Sequence, residues 1–225
     1  MDASTVRRLT VVAWVMGLAG LALVAGSLLW LRSGYVLSKV NGESMTPTYA
    51  VGDRIAAERV DGDEVERGDV VLFSAPDRYG PGVQVVQRVI GVGGDRVVCC
   101  EGRDTPQEAI TVNGERLREP YVRDGIADGL HQPYDVTVPE GRLFLLGDHR
   151  LNSRDARAFQ EDQGGTVPVG AVEGRVIDGF VGPLLLGAAA FLGLVVALLG
   201  LVLAIGTRSL RRRPAQQAVL WPEHL

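Results

Sequence analysis

The chain has 225 residues, 46% of them hydrophobic, with two cysteines and a formal net charge of −4. Residues 33–179 hold 16 Lys+Arg against 25 Asp+Glu, while the two ends together hold seven Arg and two acids. The acidic middle excludes a nucleic-acid-binding role, which needs a basic face, and the length allows one good-sized domain plus extras.

Taken in order, residues 1–8 carry Arg7 and Arg8, and Leu9–Leu31 then runs 23 residues without a charge. A spanning helix needs about 20 apolar residues. The run exceeds the apolar core of a cleaved signal and ends on Trp30, suited to an interfacial anchor. We read 9–31 as a retained transmembrane helix. A second uncharged stretch, Phe180–Gly206, runs 27 residues and is followed by Arg208, Arg211, Arg212 and Arg213 in a basic tail, 207–225. Positive residues flank the start of one span and the end of the other. This predicts a multi-pass cell-membrane protein with both termini cytoplasmic and the main domain, 32–179, extracytoplasmic.

That domain reads as mainly antiparallel β. Short β-rich runs broken by turn residues fall at 35–40, 54–59, 69–73, 83–91, 95–100, 110–112, 115–117, 134–138, 142–146 and 170–177, without the alternating helices of βα units. Asn113-Gly114 marks a two-residue hairpin. Residues 77–82 and 123–133 read as surface loops, and 150–163 as irregular or helical. Cys99 and Cys100 are adjacent and, outside the membrane, either disulfide-bonded or reduced. With no second Cys pair and three scattered His, no metal site and no cofactor are expected.

The stretch Val40-Asn-Gly-Glu-Ser44-Met-Thr-Pro-Thr48 stands out. Gly42 permits close backbone approach and Pro47 fixes its φ, which suits a serine hydroxyl held in one exposed place. Two later blocks accompany it in order: Gln87-Arg-Val-Ile-Gly91-Val-Gly-Gly-Asp95 and Gly147-Asp148-His-Arg150-Leu-Asn-Ser153-Arg-Asp155-Ala-Arg157.

The series resembles bacterial type I signal peptidases, the membrane-bound Ser/Lys endopeptidases of family S26. It implies an antiparallel β catalytic domain flanked by an N-terminal and a C-terminal transmembrane helix. Ser44 would be the nucleophile and Ser153 the serine that orients the base. Gly42, Met45 and Pro47 would belong to the oxyanion and substrate cleft. Arg88, Asp148, Arg150, Asp155 and Arg157 would be structural support. The partners implied are the lipid bilayer and the signal peptides of exported preproteins, cut at Ala-x-Ala-like sites. One departure is serious: Gln87 stands at the position of the general-base lysine. A serine hydroxyl needs a neighbour to take its proton, and an amide side chain cannot. The alternative is therefore a catalytically silent relative that binds signal peptides, or regulates or partners an active paralogue. His149 and Lys39, the sole lysine, are the candidate substitute bases.

Overall fold

A computed structural model describes residues 3–103, 105, 107–129 and 133–212. The chain divides into two units, one formed by its terminal helices and the other by Arg32–Phe180. Helices α1 (Ala3–Gly34) and α3 (Val181–Arg212) have 32 residues each. At 1.5 Å per residue each is about 48 Å long, ample for a hydrocarbon core of about 30 Å. Both outrun the apolar stretches in the sequence because arginine-bearing turns continue them. Small residues bring the two backbones together. A Cβ at Gly20 would lie 2.5 Å from Ala197 N and Gly193 O, and one at Gly200 would lie 2.7 Å from Gly17 N. Glycine at these positions is what permits the approach.

The second unit is built on two antiparallel sheets. Its strands are β1 (Tyr35–Lys39), β2 (Arg54–Glu58), β3 (Val70–Ser74), β4 (Gln84–Val92), β5 (Arg96–Glu101), β6 (Ala109–Val112), β7 (Glu115–Arg116), β8 (Tyr134–Thr137), β9 (Arg142–Leu146), β10 (Val167–Pro168) and β11 (Val172–Val176). The larger sheet has the order β1-β2-β11-β3-β4-β9-β10 and the smaller β7-β6-β5-β8. β4 and β9 are buried on both faces, so alternate residues enter different cores. Val89, Leu143 and Leu145 join Val71 and Phe73 in one cluster. Ile90, Phe144 and Leu146 join Val97, Ile110 and Tyr134 of the smaller sheet in the other. Asn113 and Gly114 take φ of 55° and 83° between β6 and β7, as a primed hairpin turn requires.

Three differences from the sequence reading have local causes. A single helical turn, α2 (Pro76–Tyr79), begins where a loop was expected; Pro76 at its first turn pre-sets φ. The two-residue β10 contains a proline and carries no alternation to read. Within 123–133, read as a surface loop, Ala127 and Asp128 are buried, because Ala127 O and Asp128 O accept hydrogen bonds from Arg150 and Arg157. Residues 130–132 of that segment lie outside the described residues.

Candidate active site

Ser44 sits in the turn that follows β1. Val40 N donates to Asp53 O (2.9 Å) and Gly52 N to Val40 O (2.8 Å), closing the base of the turn. Met45, 1% exposed, anchors it in the interior, and Tyr49 N donates to Met45 O. The third motif block grips the turn from the other side. His149 N donates to Ser44 O at 2.9 Å, and Asn152 Nδ2 donates to Glu43 Oε2 at 3.2 Å. Thr46 Oγ1 donates to Glu43 O and lies 3.2 Å from His149 Nδ1. Pro47 follows across a cis Thr46–Pro47 peptide. Gly42 has open space where a Cβ would stand.

Gln87 lies on β4, opposite Val71 of β3, and is 2% exposed. It shares its strand face with Val85 and Val89. Nε2 donates to Arg154 O at 3.0 Å and lies 3.5 Å from Tyr79 Oη. Tyr79, from α2, donates to the same Arg154 O at 2.8 Å and packs edge-on between Phe73 and Phe159. Burial raises the Tyr79 pKa above the ordinary phenol value, and the hydrogen bond with Gln87 only partly offsets this. Tyr79 is therefore a neutral donor near pH 7, not a base. Sequence reasoning did not single it out, since its partner carbonyl is 75 residues away.

Ser153 Oγ is buried with no hydrogen-bond partner among the described residues. Gly147 explains how it comes close to the serine turn. A Cβ on Gly147 would run into Ser153 Oγ and Cβ and would stand 2.5 Å from Ser44 O. Glycine thus lets the Ser44 turn and Ser153 converge on one spot.

The charged residues of the motifs form buried pairs around this point. Asp148, fully buried, accepts from Arg88 Nε (2.9 Å) and Nη2 (2.7 Å) and from the Thr48 hydroxyl. Arg88 also donates to Gly68 O and lies 3.9 Å over the Tyr121 ring. Burial opposes the Arg88 charge, but Asp148 outweighs it and the pKa ends raised. Arg150 donates to Gly147 O and Ala127 O and pairs with Glu119. Arg157 pairs with both oxygens of Asp155 and with Asp128, and Asp155 also accepts from Gly147 N. These pairs fix the loop carrying Gly147 and Ser153. Glu119, Asp128 and Thr48 are partners that the sequence reading missed.

A cleft of about 240 Å³ opens beside Ser44. It is walled by Ser38–Gly42, Ser44 and Met45 on one side and Val83–Val86 on the other. Both walls have free backbone. Among the described residues β1 pairs only with β2. Gln84–Val86 pair with β3, while β9 joins β4 only from Arg88 onward. An extended peptide could therefore pair with either wall. Ser38 Oγ donates to Gln84 Oε1 (3.1 Å) across the cleft, and Gln84 Nε2 donates to Glu173 Oε2 (2.5 Å). Lys39 and Leu37 alternate with Ser38 and Val40. Both are exposed while Val40 is buried, which turns the Lys39 side chain away from the buried face.

A family model described as signal peptidase, peptidase S26, matches residues 8–179. Signal peptidase I of Bacillus caldolyticus is 33% identical over 166 residues, covering 68% of this chain and 81% of the relative. Signal peptidase IB of Staphylococcus aureus (strain COL) is 31% identical over 177 residues, covering 68% and 84%. A solved signal peptidase I from Enterococcus faecalis V583 is 30% identical and covers 51% of this chain and 97% of its own, with a TM-score of 0.37. The family model and the two sequence relatives show the family: the chain belongs to the peptidase S26 family of signal peptidases.

Proposed function

We propose that this protein binds the signal peptides of exported preproteins in the cleft beside Ser44, and that its own peptidase chemistry is throttled by Gln87. The peptide would lie extended between β1 and the Gln84–Val86 half of β4, with small side chains near Val40, Met45 and Val86. In a competent enzyme of this kind Ser44 Oγ attacks the scissile carbonyl and its proton passes to the base. The amine then leaves, and water hydrolyses the resulting ester. The observation that carries the reading is the Gln87 amide, buried and donating to Arg154 O where the amine of a base lysine would stand. The Ser153 hydroxyl, close to Gly147, has no partner among the described residues. The possible substitutes are poorly disposed. His149 Nδ1 is engaged with Thr46 Oγ1, and Lys39, though it lines the cleft, is exposed and turned away from the buried face of β1.

The test is cleavage of a model preprotein in detergent, together with binding of a non-cleavable signal peptide. Binding with little cleavage is expected for the wild type. Ser44→Ala should remove any residual cleavage and leave binding and thermal transition nearly unchanged. Brisk wild-type cleavage that survives both His149→Ala and Lys39→Ala would refute the claim that the site lacks a base.

A further inference from the structure

Outside the serine site, the most chemically loaded cluster lies on the smaller sheet. β5 and β6 are in register at Val98↔Thr111 but reach Glu101↔Ala109 with one residue more on β5. This bulge falls on Cys99 and Cys100. The two are disulfide-bonded, and Cys99 is 4% exposed. Glu108, just before β6, comes back over them. Its carboxylate oxygen and the two Sγ atoms all lie within 4.8 Å of one another.

The environment of Glu108 is unusual. Its Oε1 is buried and has no hydrogen-bond partner among the described residues. An unsatisfied buried acceptor costs about 1–3 kcal/mol, and more when charged. A disulfide has no hydrogen to donate, so the oxidised pair does nothing to relieve it. Glu108 also lines a cavity of about 160 Å³ with Ala109, Arg116 and Leu117.

We propose that Cys99, Cys100 and Glu108, once the disulfide is reduced, form a three-ligand site for a thiophilic divalent cation of the zinc–cadmium class. Reduction by a dithiol exchanges two electrons and two protons: the Cys99–Cys100 bond breaks, two thiols form, and the reductant closes its own disulfide. Metal binding then displaces both thiol protons to solvent. Breaking the S–S bond lets the sulfurs part to the roughly 3.8 Å that two Zn–S bonds of about 2.3 Å need in a tetrahedron, with Glu108 third and water fourth. The two thiolates and the carboxylate leave one net negative charge on the complex, and Arg103, whose Nη2 lies 3.5 Å from Cys99 O, stands nearby to face it.

The experiment uses the full chain in detergent micelles, reduced with a phosphine, freed of reductant without air, and titrated with Cd²⁺. The readouts are the ultraviolet thiolate-to-cadmium charge-transfer band and proton release. One ion per reduced chain, about two protons released per ion and no band from the oxidised chain are expected. Cys99→Ser and Cys100→Ser should each weaken the band and the affinity. Glu108→Gln should keep the band but lose affinity about tenfold or more. Glu108→Asp, which retains the charge with a shorter reach, should also bind more weakly. Far-ultraviolet circular dichroism checks that each variant is folded. No band from the reduced chain, or Glu108→Gln and Glu108→Asp binding as tightly as wild type, would overturn the proposal.

Discussion

Replacing Gln87 by lysine should convert this scaffold into an active peptidase. The position is 2% exposed and faces Val71 across the sheet. Desolvation there disfavours the ammonium form, so a lysine would be held toward the neutral amine a base must be. Its side chain is one bond longer than glutamine, and its donors have ready acceptors. Arg154 O already accepts from Gln87, and Ser153 Oγ has no partner among the described residues. General-base assistance is worth about 10²–10⁴ in rate, or about 3–5 kcal/mol at 1.36 kcal/mol per tenfold. The assay is cleavage of a model preprotein by wild type and Gln87→Lys in detergent, from about pH 6 to about pH 10. A rise of at least a hundredfold is expected, with a rate that climbs with pH as the amine loses its proton. Ser153→Ala in the Gln87→Lys background should give part of the gain back. The reasoning fails if Gln87→Lys folds as the wild type does, binds signal peptide equally and still cleaves no faster.

Three further outcomes follow from the geometry. Gly147→Ala would force a Cβ against Ser153 and Ser44 O; overpacking of this kind costs about 1–3 kcal/mol, so it should lower the thermal transition and cancel the activity gained by Gln87→Lys. Tyr134 is buried and its hydroxyl has no partner among the described residues, and burial drives its pKa well above that of a free phenol. A raised folded-state pKa gives stability that is present below the unfolded value, about 10, and lost as pH rises through the folded value. Tyr134→Phe should therefore be neutral or stabilising at pH 7 and flatten the alkaline fall in Tm. Protease treatment of intact protoplasts should remove residues 33–179 and spare the tails; protection of the middle would reverse the orientation argued from Arg7, Arg8 and Arg208.

How far the sequence could be read depended on whether the signal was local. Strands β1 to β9 and β11 fall within a residue or two of the expected runs, because alternation, Asn-Gly and Gly punctuation are written along the chain. β10 was invisible, since two residues with a proline carry no period. Arg88, Asp148, Arg150, Asp155 and Arg157 stood out in the sequence as motif residues, and all five are buried in ion pairs. Their partners Thr48, Glu119 and Asp128 did not stand out, because pairing arises only when distant segments fold together. Asp128 shows the cost of that gap: it sits in a stretch of turn-forming residues that looks solvated, yet it is buried against Arg157.

The base position shows the same division more sharply. That Gln87 stands at the position the family resemblance assigns to a base lysine is an expectation drawn from one residue in one motif. What surrounds it could not be read from the motif. Arg154 O receives donors from Gln87 and Tyr79 together, so the acceptor that would steady a lysine amine is already shared. Ser153 keeps its place beside Gly147 although no described residue bonds its hydroxyl. A buried hydroxyl left unsatisfied is a standing cost, and it persists here because Gly147, Asp155 and Arg157 hold the loop whatever stands at 87. Lysine at 87 should therefore find its partner in place without any movement of the loop, which is why one substitution is expected to suffice.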